Sequence, residues 1–513
     1  MALTTTSIAA AVGASVQNVQ FRATAQVVPR KILIIGTPTT VGADTGTPTR
    51  VLSGADAAAQ FGSGSMLHRL CAAAFAGSQG VETWAIPQSE AGGAADATKT
   101  ITVAVASNEA GTIPLYIAGD RVAVTTTAAQ ADADIATAIA AAVNAEADLP
   151  VTAAAALAVV TLTAKSAGPW GNDISVRSAL LAGESLPSGV TLTIADGTAG
   201  AGTPDIATAL NATGTGDDAN GQFFTDVVHG YGTDTATLDA VSTYVGPGND
   251  TTGLYAKTIS RPFRSLNGDT AAGSGGFTAV TALGNGRRQD RASGVISVPG
   301  SPNHPAEIAA QALGVMARIN DNRAEESYVG RILDGVIPGA VDDRWTSQYS
   351  NRDTAVQSGV SPTRVRNGVV ELQNVVTFYH PADVPVDSNG YRSMRNISIL
   401  QNILSNIRTN FESERWRGFS IVEDVALVTN IRNREKARDV GSVIDDLVAL
   451  ATDFEGLAWL YTASFTIAQL AEPGAVSVRP GTTGFDSVLK IILSGEGGIL
   501  DTEVQFDTSI AVL

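Results

Sequence analysis

The sequence predicts an α/β (α+β) protein of several domains, built around a buried strand close to residue 31. Three observations support this fold class. A short, continuous apolar run at 31–36 indicates a strand that is covered on both faces. Helical and strand patterns alternate after that run, and the composition changes to Gly, Ala and Thr near residue 91. The chain of 513 residues is long enough for roughly two to four domains with full cores.

Residues 1–29 are predicted to form an N-terminal arm. Polar Thr and Ser residues lead into a strand pattern in which Val19 and Phe21 share one face. This strand has no hairpin partner nearby, and Pro29 ends the segment. A lone strand carries unpaired backbone groups, so we expect it to pair with another strand, in the same chain or in another molecule. The apolar contacts of that pairing are expected to come from Val16, Val19 and Phe21.

Residues 30–90 are predicted to be the first part of an α/β core. The expected elements are a strand at Lys31–Gly36, helices at Gly54–Phe61 and Met66–Gly77, and a strand at Val81–Ile86. Ser53 precedes the first helix, and serine is a favoured N-cap because its hydroxyl accepts a hydrogen bond from a free helical N–H. This β-α-α-β order is typical of an α/β layer.

Residues 91–200 are predicted to form a β/α insertion domain with Thr-rich, exposed sheets. A helix is expected at Ala128–Ala145, because Ile135, Ile139 and Val143 recur at helical spacing. Strands are expected at Thr100–Ala106, Leu115–Ile117, Arg121–Val124, Val159–Ala164, Ile174–Arg177 and Thr191–Ile194. The self-contained pattern indicates a unit that the core does not need for its own folding.

Residues 201–340 return to α/β alternation and are predicted to be a further core domain. The expected elements are helices at Ile206–Leu210, Thr235–Val245 and Pro305–Arg318, strands at Thr225–His229 and Val295–Val298, and a Gly-rich loop at 284–288. Proline at the first position of the third helix is favourable there, because the missing N–H has no helical partner to lose.

Residues 341–498 are predicted to form a C-terminal domain in which Arg and Asn are concentrated. The expected elements are strands at Val369–Phe378, Trp459–Ala468 and Ser487–Leu493, and helices at Met394–Phe411 and Val440–Ala451. The segment 432–438 is a local excess of cations in an acidic chain. Its Arg432, Arg434 and Arg438 are candidates for docking an acidic partner. The alternative is a solvated helix start whose arginines pair with acids of the same chain.

Residues 499–513 are predicted to be a C-terminal arm. Three apolar residues share one face of the expected strand: Leu500, Val504 and Phe506. Polar and acidic residues share the other face: Asp501, Glu503, Gln505 and Asp507. A Gly-rich hinge at 495–498 precedes the strand, so both ends of the chain are predicted to be strands on tethers.

The charge and composition argue against several functional classes. A formal charge of −17 at pH 7 lacks the basic footprint of a nucleic-acid-binding protein. The single Cys71 excludes an internal disulfide and a zinc site built from cysteines. The N-terminus lacks the cationic segment of a signal peptide, and no apolar stretch approaches the ~20 residues that span a bilayer. We therefore expect no cofactor, no metal, no nucleic acid and no membrane insertion, in a protein made in a reducing cytoplasm.

No catalytic motif is found along the chain. The turn at Gly36–Gly42 superficially resembles a phosphate loop, but it lacks the Lys-Ser/Thr pair and contains a proline. Ser301 and His304 lie where a strand leads into a helix, so a connecting loop is favoured over a catalytic triad. The acidic doublet at 445–446 is expected to be solvated. The sequence therefore predicts a protein that is not an enzyme.

Six stretches resemble, in order, the contractile tail sheath proteins of the Mu-like bacteriophage type. They are VPRKILIIG (28–36), QGVETWAIP (79–87), AGPWGNDI (167–174), GVVELQNVVT (368–377), YRSMRN (391–396) and NFESERWR (410–417). The specificity lies in the series, which covers most of the chain. The region 90–200 is where such proteins vary, and its interpretation rests on the β/α pattern alone.

The resemblance implies a two-part sheath core with the insertion facing outward and the domain 341–498 facing a tube. It implies a structural subunit that polymerises as stacked helical rings and contracts to drive the tube through the host envelope. Arms that add strands to neighbouring subunits are implied, with Arg432, Arg434 and Arg438 as tube-facing candidates. The implied partners are further copies of the chain, a tail tube protein, and baseplate and tail terminator proteins. The implied location is the virion tail, after assembly in the host cytoplasm.

Two alternatives stay open from the sequence. The first is the sheath of a tail-derived injection particle of the pyocin-like kind. The second, from a different class, is a β-rich adhesin or glycan-degrading tail protein. Glycan hydrolysis requires paired carboxylates, usually in an aromatic-lined cleft. Only 5 Trp residues and the missing signal peptide argue against that class.

Overall fold

The computed structural model of the chain describes residues 24–40, 42–43, 46–105, 109–213, 223–246, 253–254, 261–380, 390–481 and 483–495. The chain divides into two compact units. Among the described residues, the small unit comprises 24–26, 406–457 and 462–491, and the large unit comprises 27–405, 458–461 and 492–495. Helices and sheets are mixed along the chain, so the predicted α/β (α+β) fold class is confirmed.

The strands and helices are numbered in chain order. The strands are β1 (Lys31–Gly36), β2 (Thr49–Val51), β3 (Glu82–Pro87), β4 (Thr98–Val105), β5 (Gly111–Ile117), β6 (Asp120–Thr126), β7 (Val151–Ala156), β8 (Val159–Ala164), β9 (Val176–Ser178), β10 (Val190–Asp196), β11 (Asp226–His229), β12 (Arg264–Asp269), β13 (Ser293–Ser297), β14 (Ile332–Leu333), β15 (Val360–Arg366), β16 (Val369–Leu372), β17 (Ser420–Ile421), β18 (Ala437–Arg438), β19 (Val476–Val478) and β20 (Phe485–Ser487). The helices are α1 (Gly54–Phe61), α2 (Met66–Ser78), α3 (Asp132–Ala145), α4 (Ile206–Ala212), α5 (Thr235–Val245), α6 (Gly273–Gly286), α7 (Pro305–Asn320), α8 (Tyr349–Gln357), α9 (Met394–Phe411), α10 (Ile431–Glu435), α11 (Val440–Gly456) and α12 (Ala463–Leu470).

A nine-stranded sheet forms the core of the large unit, in the order β14-β16-β15-β13-β12-β11-β1-β3-β2. Strand β1 is parallel to both of its neighbours, β11 and β3. Ile32, Leu33, Ile34 and Ile35 are at most 1% exposed, as expected for a strand inside a parallel sheet that is covered on both faces. The apolar run at 31–36 is therefore the buried, interior strand that the sequence predicted.

Local signals place several helices at their predicted bounds. Ser53 caps α1, and its hydroxyl accepts a hydrogen bond from the Asp56 N–H at 3.1 Å. Helices α5 and α9 begin and end at the predicted residues, and α2 and α7 extend slightly beyond theirs. These segments combine helical apolar spacing with an N-cap or an N-terminal proline, so each is specified by residues close in sequence.

Helices α2 and α7 approach each other through two glycines. A Cβ atom at Gly77 of α2 would lie 2.2 Å from the carbonyl oxygen of Gln311. A Cβ atom at Gly314 of α7 would lie 2.5 Å from the carbonyl oxygen of Ala74. A side chain at either position would push the helices apart, because neither backbone oxygen can move alone.

Residues 95–201 form two antiparallel sheets and one helix of their own. The sheets have the orders β10-β4-β8-β7 and β6-β5-β9, and α3 packs its buried Ile135, Ile139 and Val143 against them. The two ends of the region meet, since Ala95 and Ala201 form an isolated antiparallel bridge. Closely spaced ends are typical of a domain inserted into another. Strand β7 was not among the predicted strands.

The prediction of a loop at 284–288 is wrong for residues 284–286, because these residues belong to helix α6, which covers 273–286. Glycine has a low helix propensity, and the many glycines of this segment obscured the helix in the sequence. The structure shows what one of them does. A Cβ atom at Gly284 would lie 2.0 Å from the carbonyl oxygen of Ser358, so close packing requires glycine there. Strand β12 was also missed.

The predicted strand Val369–Phe378 is only partly correct. Strand β16 covers Val369–Leu372 and pairs antiparallel with β15. The two strands are joined by Asn367 and Gly368, which have φ angles of 52° and 82°. Positive φ at both turn residues is the requirement of a tight hairpin turn, and Asn-Gly is its strongest sequence signal. This signal could have identified the hairpin.

The two strands predicted near the C-terminal end are largely wrong. Residues 463–470 form helix α12, and Thr462 caps it by accepting a hydrogen bond from the Ser464 N–H. The buried residues Ala463, Thr466 and Leu470 follow helical spacing, which a run of mixed apolar residues did not distinguish from a strand. In the other predicted strand, Ser487–Leu493, only Ser487 belongs to a named strand, β20, and Leu493 forms an isolated bridge.

The small unit consists of short elements around helix α11. Strands β17 and β18 pair in parallel, and β19 and β20 pair antiparallel. Helix α11 buries Val443, Leu447, Leu450 and Phe454. Its N-terminus is closed by a capping box, in which Asp439 and Ser442 each satisfy a backbone N–H of the other.

Candidate functional surfaces

The arginine-rich segment 431–438 lies in the small unit as a short helix followed by a short strand. Asn430 caps α10 by accepting a hydrogen bond from the Arg432 N–H at 3.0 Å. Arg432 and Arg434 are exposed, and neither forms an ion pair with another described residue. They are therefore available to an acidic partner, and their predicted contact with a tube stays a prediction.

Arg438 differs from the other two arginines, because its guanidinium is used inside the unit. Its Nη1 donates to the carbonyl oxygens of Glu435 at 3.0 Å and Ala437 at 2.6 Å. Its Nη2 donates to the carbonyl oxygen of Arg415 at 2.7 Å, and the group lies over the Trp416 ring. Burial, and then the charge of Arg415, lower the pKa of Arg438. Substituting Arg438 would therefore disturb the fold as well as any surface contact.

A buried carboxylate of α11 holds residues 410–416 next to that helix. Asp446 accepts hydrogen bonds from Asn410 Nδ2 at 3.0 Å, Arg415 Nη1 at 2.8 Å and Trp416 Nε1 at 2.8 Å. The prediction that the doublet 445–446 is solvated is thus wrong for Asp446, which is buried, and holds for the exposed Asp445. No local signal marked this difference, since the donors lie about thirty residues earlier in the chain.

The last residues of the predicted N-terminal arm are fixed by side chains of helix α9. In the small unit, Gln26 exchanges two hydrogen bonds with the Asn406 side chain, at 2.9 and 2.8 Å. In the large unit, the Val28 N–H donates to Asn402 Oδ1 at 2.7 Å. Gln26 and Val28 of the predicted arm thus have defined partners. Val16, Val19 and Phe21 lie outside the described residues.

Arg30 completes this attachment inside the large unit. Its Nε donates to the carbonyl oxygen of Asn320 at 3.3 Å and its Nη2 to Ser398 Oγ at 2.6 Å. Burial, and then the charge of Arg264, lower the pKa of Arg30 to about 10. Arg264 itself forms a fully buried pair with Asp226, with an Nε–Oδ1 distance of 2.5 Å. The strand β1 therefore begins at a buried, hydrogen-bonded cation.

The chain that precedes the predicted C-terminal arm is also fixed, in the large unit. The Ser494 N–H donates to the carbonyl oxygen of Trp459 at 3.0 Å, and the Tyr461 N–H to that of Ile492 at 2.9 Å. Arg395 of α9 donates to the carbonyl oxygen and the hydroxyl of Ser494, at 2.8 and 2.9 Å. The apolar residues of the arm lie outside the described residues: Leu500, Val504 and Phe506.

The residues considered for catalysis have structural roles. His304 caps α7: its Nδ1 accepts from the Ala306 N–H and its Nε2 donates to the carbonyl oxygen of Trp170 at 3.0 Å. Ser301 Oγ donates to the carbonyl oxygen of Ile337 at 2.7 Å. Cys71 is buried, and this burial raises the pKa of its thiol.

Among the described residues, no group of three or more His, Cys, Asp or Glu side chains is placed to hold a metal ion. No helix in the described part of the chain is long and apolar enough to cross a membrane.

No protein-family model matches this chain. A protein with detectable sequence similarity aligns with most of it. The Mu-like prophage FluMu tail sheath protein of Haemophilus influenzae is 25% identical over 383 residues, which are 74% of this chain and 74% of that protein.

Solved structures of sheath proteins align with most of the chain at low identity. A sheath tail protein of Listeria innocua has 13% identity and a TM-score of 0.47, covering 92% of this chain and 94% of that chain. One of Desulfitobacterium hafniense has 12% identity and a TM-score of 0.42, covering 90% and 93%. The contracted helical sheath of the anti-feeding prophage has 10% identity and a TM-score of 0.42, covering 98% and 100%. These TM-scores lie below 0.5, so no argument is based on them.

The sequence similarity to the Haemophilus influenzae protein confirms the resemblance that the sequence motifs indicated. The chain is similar to the tail sheath proteins of the Mu-like type.

Proposed function

We propose that the chain is the structural subunit of a contractile tail sheath. Subunits polymerise helically around a tail tube, and contraction drives the tube through the host envelope. The observation that carries this proposal is the sequence similarity to a Mu-like tail sheath protein over 74% of both chains. The proposed site of action is the virion tail, with assembly in the host cytoplasm. The sheath of a tail-derived, pyocin-like particle is the alternative, and it is also consistent with this similarity.

The proposed role needs no enzymatic step and no cofactor. The side chains considered for catalysis are engaged in capping and loop hydrogen bonds, as described for His304 and Ser301. A sheath of this kind stores its free energy in a metastable extended state, which a baseplate releases. The proposed partners are therefore proteins: other copies of the chain, the tube protein, the baseplate and the tail terminator.

Assembly is proposed to occur by exchange of the terminal strands. An arm that adds a strand to a neighbour contributes a row of main-chain hydrogen bonds. A head-to-tail contact of this kind does not close on itself and generates a helix. The bonds of Val28 to Asn402 and of Ser494 to Arg395 support this proposal, because each holds the body side of an arm. A force on either arm would then act on the large unit through these hydrogen bonds.

The remaining regions are assigned by the same proposal. Residues 30–90 are the first part of the core, 201–340 its α/β domain and 341–498 its C-terminal domain, and 91–200 is an outward-facing insertion that the core does not require. The meeting of Ala95 and Ala201 supports this assignment, since a short linker can replace a domain whose ends adjoin. Residues 341–498 face the tube, with the exposed Arg432 and Arg434 as the proposed contacts.

Truncation tests the exchange model. We expect variants lacking 1–22 or 499–513 to stay folded and to remain monomeric, because the strands they lose pair only between subunits. Negative-stain microscopy and sedimentation measure assembly, and circular dichroism measures folding. A variant lacking only residues 1–8 is the control, because it keeps the apolar strand residues and is expected to polymerise. Sheaths formed by either long truncation would contradict the exchange model, and a full-length chain that forms no hollow polymer would contradict the sheath function.

A further inference from the structure

A pocket of about 350 Å³ in the large unit is lined mainly by arginines. The lining arginines are Arg344, Arg352, Arg364 and Arg366, with Thr346, Ser347 and Val365 between them. Arg364 and Arg366 are two residues apart on β15, so their side chains leave the same face of the sheet. The volume lies in the range of binding pockets for small groups and side chains.

The positive charge of this pocket is mostly unbalanced. Arg364 Nε donates to Glu371 Oε2 at 2.8 Å, which is an ion pair across the β15–β16 hairpin. Among the described residues, Arg344, Arg352 and Arg366 form no such pair. Among the described residues, only one of the four guanidinium groups, that of Arg364, is paired with a carboxylate. This excess of positive charge stands out in a chain whose formal charge is −17.

Two of these arginines also have polar atoms without a partner. The Nε atoms of Arg344 and Arg352 are buried and have no acceptor among the described residues. Arg352 Nη1 donates to the carbonyl oxygens of Thr346 and Ser347, at 2.6 and 3.2 Å, which fixes the guanidinium at the pocket. Burial, and then the charge of Arg364, lower the pKa of Arg352, and no carboxylate opposes this shift. A buried donor without an acceptor is costly, so the pocket is suited to an acceptor from outside.

The arginine N–H donors of the pocket determine which kind of acceptor it can bind. Guanidinium groups are planar, permanently charged and suited to paired hydrogen bonds with carboxylates or phosphates. No carboxylate is among the described residues that line the pocket. In this protein, carboxylates are concentrated near the C-terminus. The four acids there are Glu496, Asp501, Glu503 and Asp507, and the sequence contains no Lys or Arg after Lys490.

The spacing of these acids matches the pocket. Asp501 and Glu503 are two residues apart, so on a strand their carboxylates are separated by ~6.8 Å on one face. Arg364 and Arg366 have the same spacing on β15. The N-terminal arm cannot supply this partner, because residues 1–23 contain no Asp or Glu.

We propose that the arginine pocket binds the acidic face of residues 501–507 from a second copy of this chain. The proposal rests on the proposed exchange of the C-terminal arm, and it adds a second attachment to that exchange. Main-chain hydrogen bonds alone would allow the strand of the arm to pair in several registers. A charged face that fits one pocket favours a single register. Because the pairs lie at a solvated pocket, salt weakens them.

A charge swap in the full-length chain tests the pairing. We expect Arg344→Glu with Arg366→Glu to raise the protein concentration needed for assembly about tenfold, because the pocket then repels the acidic face. Asp501→Arg with Glu503→Arg is expected to have the same effect, and the four changes together to restore assembly. Arg50→Glu with Arg417→Glu is the matched control, since it reverses the same charge at exposed positions outside the pocket. Normal assembly of the pocket variant, or no recovery in the combined variant, would overturn the proposal while leaving the sheath function intact.

A cysteine pair tests the proposal without requiring a polymer. Arg366→Cys with Glu503→Cys is expected to give disulfide-linked dimers and higher species under mild oxidation. The only native cysteine, Cys71, is buried and does not compete. A disulfide within single chains would show that the arm binds its own pocket, and the absence of any cross-link would show that it does not bind there. If inorganic phosphate binds tightly and no cross-link forms, the pocket takes a small anion. Each of these results would overturn the proposal.

Discussion

The large and small units bury their interiors by different means. The large unit covers the apolar residues of β1 inside a nine-stranded sheet, where Ile32, Ile34 and Ile35 have no exposed surface. The small unit has strands of two or three residues and leaves Leu427 and Ile431 each 72% exposed. Its elements surround the apolar face of α11, and Asp446 and an aromatic cluster around Trp416 add further contacts. The large unit is thus built on a long buried sheet, whereas the small unit is built from short elements around one helix.

The same contrast appears in how each unit uses charge. In the large unit, Arg264 and Asp226 are fully buried and paired with each other. In the small unit, Arg432 and Arg434 are exposed and Asp446 is the buried acceptor. The first arrangement contributes to a single structure of the core, whereas the second leaves cations at the surface. Four predictions test this difference, from the largest expected effect to the smallest.

Removal of the buried cation of the large unit is expected to have the largest effect. Arg264→Ala leaves the Asp226 carboxylate buried without its partner, which costs about 3–5 kcal/mol of unfolding free energy. Urea denaturation of the full-length chain measures this loss. Arg323→Ala is the matched control, because Arg323 is 67% exposed and its loss is expected to change stability by under about 0.5 kcal/mol. Equal effects of the two changes would mean that the pair does not stabilise the core.

Removal of the buried acceptor of the small unit is expected to have the next largest effect. Asp446→Ala leaves three donors without their acceptor, so we expect a loss of about 2–3 kcal/mol. Its neighbour on the same helix provides the control, since Asp445 is exposed and Asp445→Ala should be nearly neutral. Urea denaturation of the two full-length variants measures the difference. An Asp446→Ala variant as stable as Asp445→Ala would show that the aromatic cluster alone holds the unit.

Mild acid is expected to destabilise the large unit through His304. Burial lowers the pKa of His304 to about 4, against a usual value of 6.5, while the nearby Asp173 opposes that shift. Between these values the unfolded chain binds the proton and the folded chain does not, so stability falls as the pH drops from about 6.5 to 4. From pH 7 to pH 5 this group alone accounts for about 2 kcal/mol.

The control for this prediction keeps the helix cap and removes the titrating ring. Asn is a good N-cap, so His304→Asn is expected to fold and to show a smaller loss of stability between pH 7 and pH 5. Urea denaturation at each pH measures the difference between the two proteins. If their pH dependence is the same, His304 is not responsible for the acid sensitivity.

Reversal of the exposed cations of the small unit is expected to change stability least. Arg432→Glu with Arg434→Glu should alter the unfolding free energy by under about 0.5 kcal/mol, because neither side chain has an ion pair within the described chain. The sheath should still polymerise alone but should fail to assemble in the extended state on tube. Arg438→Glu is the contrasting variant, since it loses three backbone acceptors and should lower stability as well. Unchanged assembly of the Arg432 and Arg434 variant on tube would place the tube contact elsewhere.

Much of the fold could be predicted from segments whose signals lie close together in sequence. The buried run of β1, the Ser53 cap of α1 and the apolar spacing of α3 and α9 each involve fewer than twenty consecutive residues. A hydrogen bond to a cap or a recurring apolar face acts over one or two helical turns. Such features therefore appear in the sequence itself. The Asn-Gly turn of the β15–β16 hairpin was equally local and was simply missed.

The candidate surfaces were less predictable, because they depend on contacts between distant segments. Arg432 and Arg438 look alike in sequence, yet one is exposed and the other donates to three carbonyl oxygens. Asp445 and Asp446 are adjacent, and only the second meets donors from another segment. The arginines of the pocket become neighbours only when a helix and a hairpin come together. The sequence by itself determined the α/β class, the main helices and the resemblance to tail sheath proteins, through local periodicity and ordered motifs. The tertiary structure alone decided which charges are buried, paired or exposed, since burial and pairing are set by chain segments that approach one another only in the folded state.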